Sequence, residues 1–232
     1  MAGDSKWLPL ESNPEVMTKF LRNLGLPKDW SIVDVLGLDK ELLLAVPKPV
    51  AAILLLFPCS QRHEDFVSAK HAEIKEEGQV VSDKVYFMRQ TVKNACGTVA
   101  LVHALANSLD LVKLGDCPIK KFLEATAALS PDERAKFLEE SDSISKAHQE
   151  SAEKGQTEAP SPEDDVNLHF ICLANVDGHL YDLDGRKPCP FNMGTTSEES
   201  FLMDASNVCK EYIKRDPDNL QFTVLALAAA EE

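Results

Sequence analysis

The sequence lacks any long apolar run. In a chain of 232 residues, the longest uninterrupted apolar stretch runs from Val50 to Phe57. That length suits a strand and falls far short of the roughly 18 apolar residues that a membrane-spanning helix needs. Residues 1–6 contain no apolar signal region either. We therefore expect a cytoplasmic protein, with the nucleus as a second expected location.

Basic side chains are scarce as well. The chain has 24 lysines and arginines against 38 acidic residues, for a formal net charge of −14. Because non-specific binding to nucleic acid or to anionic membranes needs a basic excess, we expect neither as a partner. Half of the net charge falls within residues 132–165, where 11 acidic residues face 4 basic ones. This window is either a solvated negative surface or a surface that attracts a basic partner.

Paired cysteines are also missing. The six cysteines show no Cys-x-x-Cys motif and no regular spacing, whereas paired spacing is typical of zinc sites. We therefore expect free thiols in a reducing compartment and no structural metal. The apolar fraction of 44% and the charged fraction of 27% are ordinary for a globular protein.

Helix and strand patterns alternate irregularly along the chain, which favours an α+β fold over a doubly wound one. The run from Val50 to Phe57 is apolar at every position, which predicts a strand buried on both faces between helices. Asn13-Pro14 and Gly25 bound a clear amphipathic helix. Further helices are expected over about 40–45, 63–77, 95–107, 130–140, 143–152 and 198–215, and further strands over 31–35, 85–88 and 220–228.

A hairpin and a long loop are predicted in the second half of the chain. Residues 153–165 are rich in acidic residues, proline and glycine without apolar periodicity, which is typical of a mobile loop. The segments 168–176 and 179–183 then flank Asp177-Gly178, a strong signal for a two-residue hairpin turn.

Cys96 is the best candidate for a nucleophile. It lies at the expected start of a helix, where free N–H groups and the helix dipole stabilise a thiolate. Gly97 would leave room for a substrate backbone to approach. The side-chain amide of Gln90, together with the Cys96 N–H, could stabilise an oxyanion. The alternative is that Cys96 is simply a small buried residue, as most cysteines are.

A nucleophilic cysteine needs a histidine base and a group that orients it. The hairpin register places His169, Asp182 and Asp184 on one face, while His179 falls on the other. Asp184 is the nearer diagonal neighbour of His169, so these two are the expected base and orienting carboxylate. The alternative is that His169 is a core histidine and that Asp184-Gly185 is only a turn.

The same residues carry a resemblance to a known family. Gln90 with Asn94-Ala95-Cys96-Gly97-Thr98 resembles the nucleophile motif of the ubiquitin carboxyl-terminal hydrolases, which are small cysteine peptidases of the deubiquitinase group. Leu168-His169-Phe170 and the segment from Leu180 to Arg186 resemble their histidine and aspartate motifs. The similarity extends over essentially the whole chain.

Two further stretches are most like the L-three-type isozymes of this family: Trp7-Leu8-Pro9-Leu10-Glu11 and the segment from Gly155 to Pro160. The resemblance implies a papain-like cysteine protease core, with a central antiparallel β-sheet flanked by helices on both sides and a knotted topology. It also implies a single catalytic domain over residues 1–232. A mobile crossover loop at about 147–167 would pass over the active site and limit the size of the group attached to ubiquitin.

The implied activity is that of a deubiquitinating thiol hydrolase. Such an enzyme cleaves small adducts or short peptides from the C-terminal glycine of ubiquitin through a cysteine thioester, with a ubiquitin-like modifier as a further expected substrate. By resemblance, Cys96 is the nucleophile, His169 the general acid and base, Asp184 the residue that orients His169, and Gln90 the oxyanion stabiliser. No cofactor is expected, and a monomer is the expected state.

Ubiquitin is the expected partner, with contacts in three regions that the resemblance implies. These are Pro9, Leu10 and Asn13; Gln156, Thr157 and Glu158; and Leu220 and Phe222. Two other functions stay open for the sequence: an amide-forming acyltransferase that uses the same three catalytic residues, and a module that binds ubiquitin without cleaving it.

Overall fold

A computed structural model describes residues 7–155 and 167–230, and it is built around one six-stranded sheet. The strand order is β1-β6-β2-β3-β4-β5, and every neighbouring pair is antiparallel. The strands are β1 (Trp30–Asp34), β2 (Val50–Pro58), β3 (Leu168–Val176), β4 (His179–Leu183), β5 (Phe191–Thr195) and β6 (Thr223–Ala229).

Helices cover both faces of this sheet. They are α1 (Pro14–Leu24), α2 (Lys40–Leu43), α3 (Gln61–Glu77), α4 (Cys96–Ala106), α5 (Pro118–Thr126), α6 (Pro131–Glu139), α7 (Asp142–Ala152) and α8 (Phe201–Arg215). The α+β class and the flanked antiparallel sheet are confirmed. No helix in the described part of the chain is long and apolar enough to cross a membrane.

Strand β2 shows why the sheet is covered twice. From Ala52 to Phe57 its residues alternate between two separate apolar clusters, and all residues from Ala51 onward are buried. Leu54 faces the cluster that contains α1 and α4, whereas Leu55 faces the cluster that contains α8. A strand without polar positions must bury both faces, so the prediction from the sequence is confirmed.

The hairpin between β3 and β4 also forms in the predicted register. Asp177 and Gly178 both have positive φ, at 50° and 75°, as a two-residue turn of the primed type requires. The ladder begins at Val176 and His179 and ends at Cys172 and Leu183. After Leu183 the chain leaves the sheet and turns, so the residues that follow approach β3 from its end.

Capping chemistry fixes the helix ends that the sequence predicts. The side chain of Asn13 accepts hydrogen bonds from two N–H groups at the start of α1, and Gly25 ends that helix with φ of 112°. Ser130 and Glu133 form the reciprocal capping box at the start of α6.

The expectation of a strand at residues 85–88 is wrong. Side chains satisfy the backbone of this segment instead of a neighbouring strand. Asn107 accepts from the Tyr86 N–H and donates to the Tyr86 carbonyl, each at 2.8 Å. His103 Nε2 accepts from the Met88 N–H at 3.0 Å. The segment is extended because α4 holds it, and a short apolar run cannot reveal that from sequence.

Other elements differ in extent or were not foreseen. Helix α5 and strand β5 are not among the predicted elements, although Pro118 and the apolar spacing of α5 are helix signals. Strand β6 begins at Thr223, three residues later than expected. Most of the expected loop at 153–165 lies outside the described residues, and the expected knot remains a prediction.

His103 makes stability depend on pH. Burial lowers its pKa to about 4, below the ordinary value of 6.5, so the unfolded chain takes up a proton before the folded chain does. Stability is therefore complete above pH 6.5 and falls as the pH drops towards 4. Between pH 7 and pH 5 we expect this histidine to lower the free energy of unfolding by about 2 kcal/mol. His103→Gln should reduce the pH dependence of the urea unfolding free energy by that amount.

The matched control is Asn107→Ala, because Asn107 braces the same segment but does not titrate. It should lower the unfolding free energy by about 1–3 kcal/mol at both pH values. A His103→Gln variant whose pH dependence equals that of the unchanged chain would contradict the assignment.

Candidate active site

Cys96 begins α4, as the sequence predicts. Asn94 turns the chain into the helix with a positive φ of 65°, a conformation that asparagine tolerates better than most residues. Its side-chain Nδ2 donates to the Trp7 carbonyl at 3.0 Å, which fixes the turn. The helix has no side-chain cap at Ala95, so backbone N–H groups of the first turn are available to stabilise negative charge at Cys96.

Gly97 has a different role from the one expected. A Cβ atom at this position would lie 3.2 Å from Leu10 Cβ and 3.5 Å from the Phe170 ring. The space beside Gly97 is therefore filled by the protein's own N-terminal segment and by β3. The glycine permits close packing at the start of α4, and the expectation that it leaves room for a substrate backbone is wrong.

His169 and Asp184 form a buried ion pair. The His169 Nε2 atom lies 2.6 Å from Asp184 Oδ1, and the two residues are 1% and 2% exposed. Burial disfavours the charged imidazole, but the carboxylate of Asp184 and the hydrogen bond with Cys96 outweigh it and raise the pKa of His169 to about 9. Burial likewise favours a neutral Asp184, yet His169, Lys187 and the Arg186 N–H hold its pKa well below the usual range.

The thiol of Cys96 completes this arrangement. His169 Nδ1 is buried and has no nitrogen or oxygen partner within the described residues, which leaves it for the sulfur. Although burial opposes a thiolate, the hydrogen bond and charge of His169, together with the Phe170 N–H, lower the pKa of Cys96. A thiolate and an imidazolium therefore stabilise each other, as in activated thiol nucleophiles.

Gln90 lies beside this pair because two loops meet there. Its N–H donates to the Gly185 carbonyl at 2.9 Å. A Cβ at Gly185 would come within 2.9 Å of Gln90 Cβ and 3.0 Å of Val99 Cγ1, so only glycine allows the approach. The Gln90 Nε2 donates to the Val92 carbonyl at 3.1 Å. This contact uses one of its two hydrogens and leaves the second for an oxyanion.

The five other histidines lie outside the arrangement, and His71 among them belongs to α3. His179 contacts Asn192 on the opposite face of the hairpin, as the register predicts. His103 and His63 are buried in the core, and burial lowers the pKa of each to about 4. His148 contacts Thr98 through Nδ1 and the Leu8 carbonyl through Nε2. Each of these histidines packs against groups other than Cys96, so His169 is the histidine next to Cys96.

Sequence reasoning missed a buried lysine below the ion pair. Lys187 Nζ lies 2.6 Å from Asp182 Oδ2 and 3.0 Å from the Tyr212 hydroxyl. The hairpin register places Asp182 on the same face as His169. An acidic residue there without a catalytic role is a signal that a basic partner lies nearby. The lysine itself follows the strand end, where periodicity gives no information about burial.

The residues expected to contact ubiquitin fall into different environments. Leu10 is buried at 6% exposure beside α4, and Asn13 caps α1. Leu220 is 92% exposed just before β6, and Phe222 is half-buried. Pro9 is half-buried in the N-terminal segment. The remaining three, Gln156, Thr157 and Glu158, lie outside the described residues.

The family that the sequence matches agrees with this geometry. The family model "Ubiquitin carboxyl-terminal hydrolase, family 1", a group of cysteine peptidases, matches residues 7–214. The chain belongs to this family. A ubiquitin carboxyl-terminal hydrolase of Drosophila melanogaster is 47% identical over 97% of this chain and 99% of its own length. Isozyme L1 of Rattus norvegicus is 47% identical over 96% of this chain and 98% of its own length.

Solved structures of the family share the fold. The UCH37 catalytic domain of Trichinella spiralis, crystallised with ubiquitin vinyl methyl ester, superposes with a TM-score of 0.74 at 26% identity. The match covers 98% of this chain and 97% of that domain. Membership in this family makes the chain a cysteine-type hydrolase with a papain-like fold.

No cluster of three or more histidine, cysteine, aspartate or glutamate residues that could bind a metal occurs within residues 7–155 and 167–230. All six cysteines are free. Burial raises the pKa of the thiols of Cys59, Cys172, Cys189 and Cys209, which sets them apart from Cys96.

This contrast predicts selective alkylation. At pH 6, a low concentration of iodoacetamide should modify Cys96 at least about tenfold faster than the four cysteines with raised pKa, because only the thiolate reacts. His169→Asn should remove this selectivity, since the imidazolium that stabilises the thiolate is lost. Peptide mass spectrometry over time measures the rates. Equal rates at Cys96 in both proteins would contradict the pairing.

Proposed function

We propose that this chain hydrolyses adducts at the C-terminal glycine of ubiquitin through Cys96. The observation that carries the proposal is the buried pair of His169 and Asp184 next to a cysteine at a helix start, in a member of this family. The substrates are small adducts and short peptides, and a ubiquitin-like modifier is a further substrate that we propose.

The reaction is an acyl transfer in two steps. The Cys96 thiolate attacks the glycine carbonyl carbon, and the Cys96 N–H and the Gln90 amide stabilise the oxyanion. His169 donates its proton to the leaving amine or thiol as the carbon–nitrogen or carbon–sulfur bond breaks. The neutral imidazole then takes a proton from water, which attacks the thioester and releases ubiquitin. Asp184 holds the ring orientation and supports its charged form throughout.

The remaining features of the proposal concern recognition. Ubiquitin would contact Pro9, Leu10 and Asn13, the Gln156–Glu158 stretch, and Leu220 with Phe222. The high exposure of Leu220 supports a contact there, because its apolar side chain is available to a partner. The crossover loop at about 147–167 would limit the size of the leaving group. We propose a monomeric, single-domain enzyme of the cytoplasm or nucleus that needs no cofactor.

Cys96→Ala should abolish hydrolysis of a ubiquitin C-terminal amide reporter, because the nucleophile is lost. It should retain ubiquitin binding, measured by calorimetry, since the contact surface is unchanged. Cys189→Ala, which removes a thiol elsewhere, should keep full activity. Turnover by Cys96→Ala at the rate of the unchanged chain would end the proposal.

The two alternatives have their own test. A ubiquitin vinyl methyl ester should form a covalent adduct at Cys96, which a module that only binds ubiquitin would not do. An acyltransferase would instead require an added amine for turnover of the reporter, so rapid release of free ubiquitin into plain buffer favours the hydrolase.

The roles of His169 and Asp184 differ in the proposed reaction. His169→Ala should lower the acylation rate by about 10³-fold or more, because a proton-transfer group is lost. Asp184→Asn should lower it less, because the imidazole remains and only its orientation and charge support are weakened. Single-turnover kinetics measures the chemical step, and equal losses in both variants would argue against this division.

A further inference from the structure

A second buried group of charges lies below the His169–Asp184 pair. We call it the Lys187 cluster: Lys187, Asp182 and Tyr212. Lys187 Nζ bonds Asp182 Oδ2 at 2.6 Å and the Tyr212 hydroxyl at 3.0 Å, and the hydroxyl donates to the same Asp182 oxygen at 2.6 Å. The three residues are at most 3% exposed. Buried lysines are rare, because removing an ammonium group from water is costly.

The Lys187 cluster touches the catalytic pair through Asp184. Lys187 Nζ lies 4.0 Å from Asp184 Oδ2, the carboxylate oxygen that His169 does not use. The other oxygen, Oδ1, accepts from the Arg186 N–H at 2.9 Å and from His169. The Asp184 carbonyl also accepts from the Lys187 N–H at 2.9 Å. Asp184 is thus held between two cations, one on each oxygen.

Resting on the proposed function, we infer that Lys187 is a positioning residue for the catalytic pair. Its ammonium group holds the Asp184 carboxylate towards His169 and sets the pH range in which Cys96 and His169 are both charged. Asp182 and Tyr212 hold the ammonium group at a distance from Asp184. The ammonium therefore supports the Asp184 carboxylate, while His169 stays the direct partner of that carboxylate. Lys187 cannot touch ubiquitin, since it is 1% exposed.

Charged and titratable groups face Lys187 from several elements. They are Asp182 on β4, Asp184 in the turn, His63 on α3, Tyr212 on α8, and Cys189, with His169 on β3 beyond Asp184 and Arg215 on α8 beyond Tyr212. Burial, and then the charge of Lys187, lower the pKa of His63 to about 4, so His63 stays neutral where an enzyme of this kind works. The positive charge of Lys187 therefore acts on groups other than Asp182. His169 is faced in addition by Cys96, and Cys96 by Arg186.

The test is the pH dependence of Cys96 alkylation by iodoacetamide in the free full-length chain. The alkylation rate changes over two pH ranges, which we call its limbs. The first limb reports formation of the Cys96 thiolate, and the second reports loss of the His169 imidazolium proton. The positive charge of Lys187 disfavours protons bound nearby, and Lys187→Met removes that charge. Both limbs should therefore move up by about 0.5–1 pH unit. Asp182→Asn removes a negative charge, so both limbs should move down.

The double variant Asp182→Asn with Lys187→Met separates charge from shape. It removes one charge of each sign, and its limbs should return to within about 0.2 unit of the original positions. Arg134→Met is the matched control, because Arg134 is a part-buried cation that binds three backbone carbonyls away from the site. It should lower the melting temperature and leave both limbs in place.

A cluster that serves only to hold the fold would give a different result. Lys187→Met and Asp182→Asn would then lower the melting temperature with both limbs unmoved, which would overturn the inference. Limbs that move in the same direction in both variants would also overturn it. If Lys187→Met does not fold, Asp182→Asn decides: a downward shift supports the inference, and no shift or an upward shift overturns it.

Reporter hydrolysis keeps this inference distinct from the proposed function. Lys187→Met should lower kcat for the ubiquitin reporter severalfold with KM nearly unchanged, because the residue is out of reach of ubiquitin. A rise in KM at unchanged kcat would overturn the positioning role. Absence of hydrolysis by the unaltered chain would contradict the proposed function itself, and the alkylation limbs would still report on Lys187.

Discussion

The hydrogen-bonded ion pair between His169 and Asp184 is the interaction on which the site depends. Both groups are almost fully removed from water, and each would be neutral if it were buried alone. Their charges persist because they are 2.6 Å apart and because further donors surround the carboxylate. The pair in turn stabilises a thiolate at Cys96. Loss of any one charge would leave its partner buried without compensation.

The environment, rather than the residue type, decides what each histidine does. His103, His148 and His63 are buried without a carboxylate partner, and burial lowers the pKa of each to about 4. His169 is buried as deeply, but it faces Asp184 and has a raised pKa. The neutral histidines can accept hydrogen bonds from backbone groups, as His103 does from Met88. The same ring therefore serves as a structural hydrogen-bonding group at His103 and His148 and as a charged group at His169.

Features set by local patterns could be predicted from the sequence, whereas those set by tertiary contacts could not. The apolar run of β2, the caps of α1 and α6, and the turn at Asp177-Gly178 follow from nearby residues. The hairpin register places Asp184 near His169 for the same reason. The extended segment at 85–88 and the burial of Lys187 depend on groups far along the chain, such as Asn107 and Tyr212. No local signal in the sequence carries these contacts.

The strand order has a consequence for how the molecule is made. β6 lies between β1 and β2, although nearly all of the chain separates it from them in sequence. During translation, β1 and β2 leave the ribosome without the strand that joins them, and β2 exposes an apolar edge until residue 229 has emerged. The sheet that supports the Cys96–His169 pair is completed only after synthesis reaches this point. A nascent chain would then need protection from aggregation until its last strand arrives.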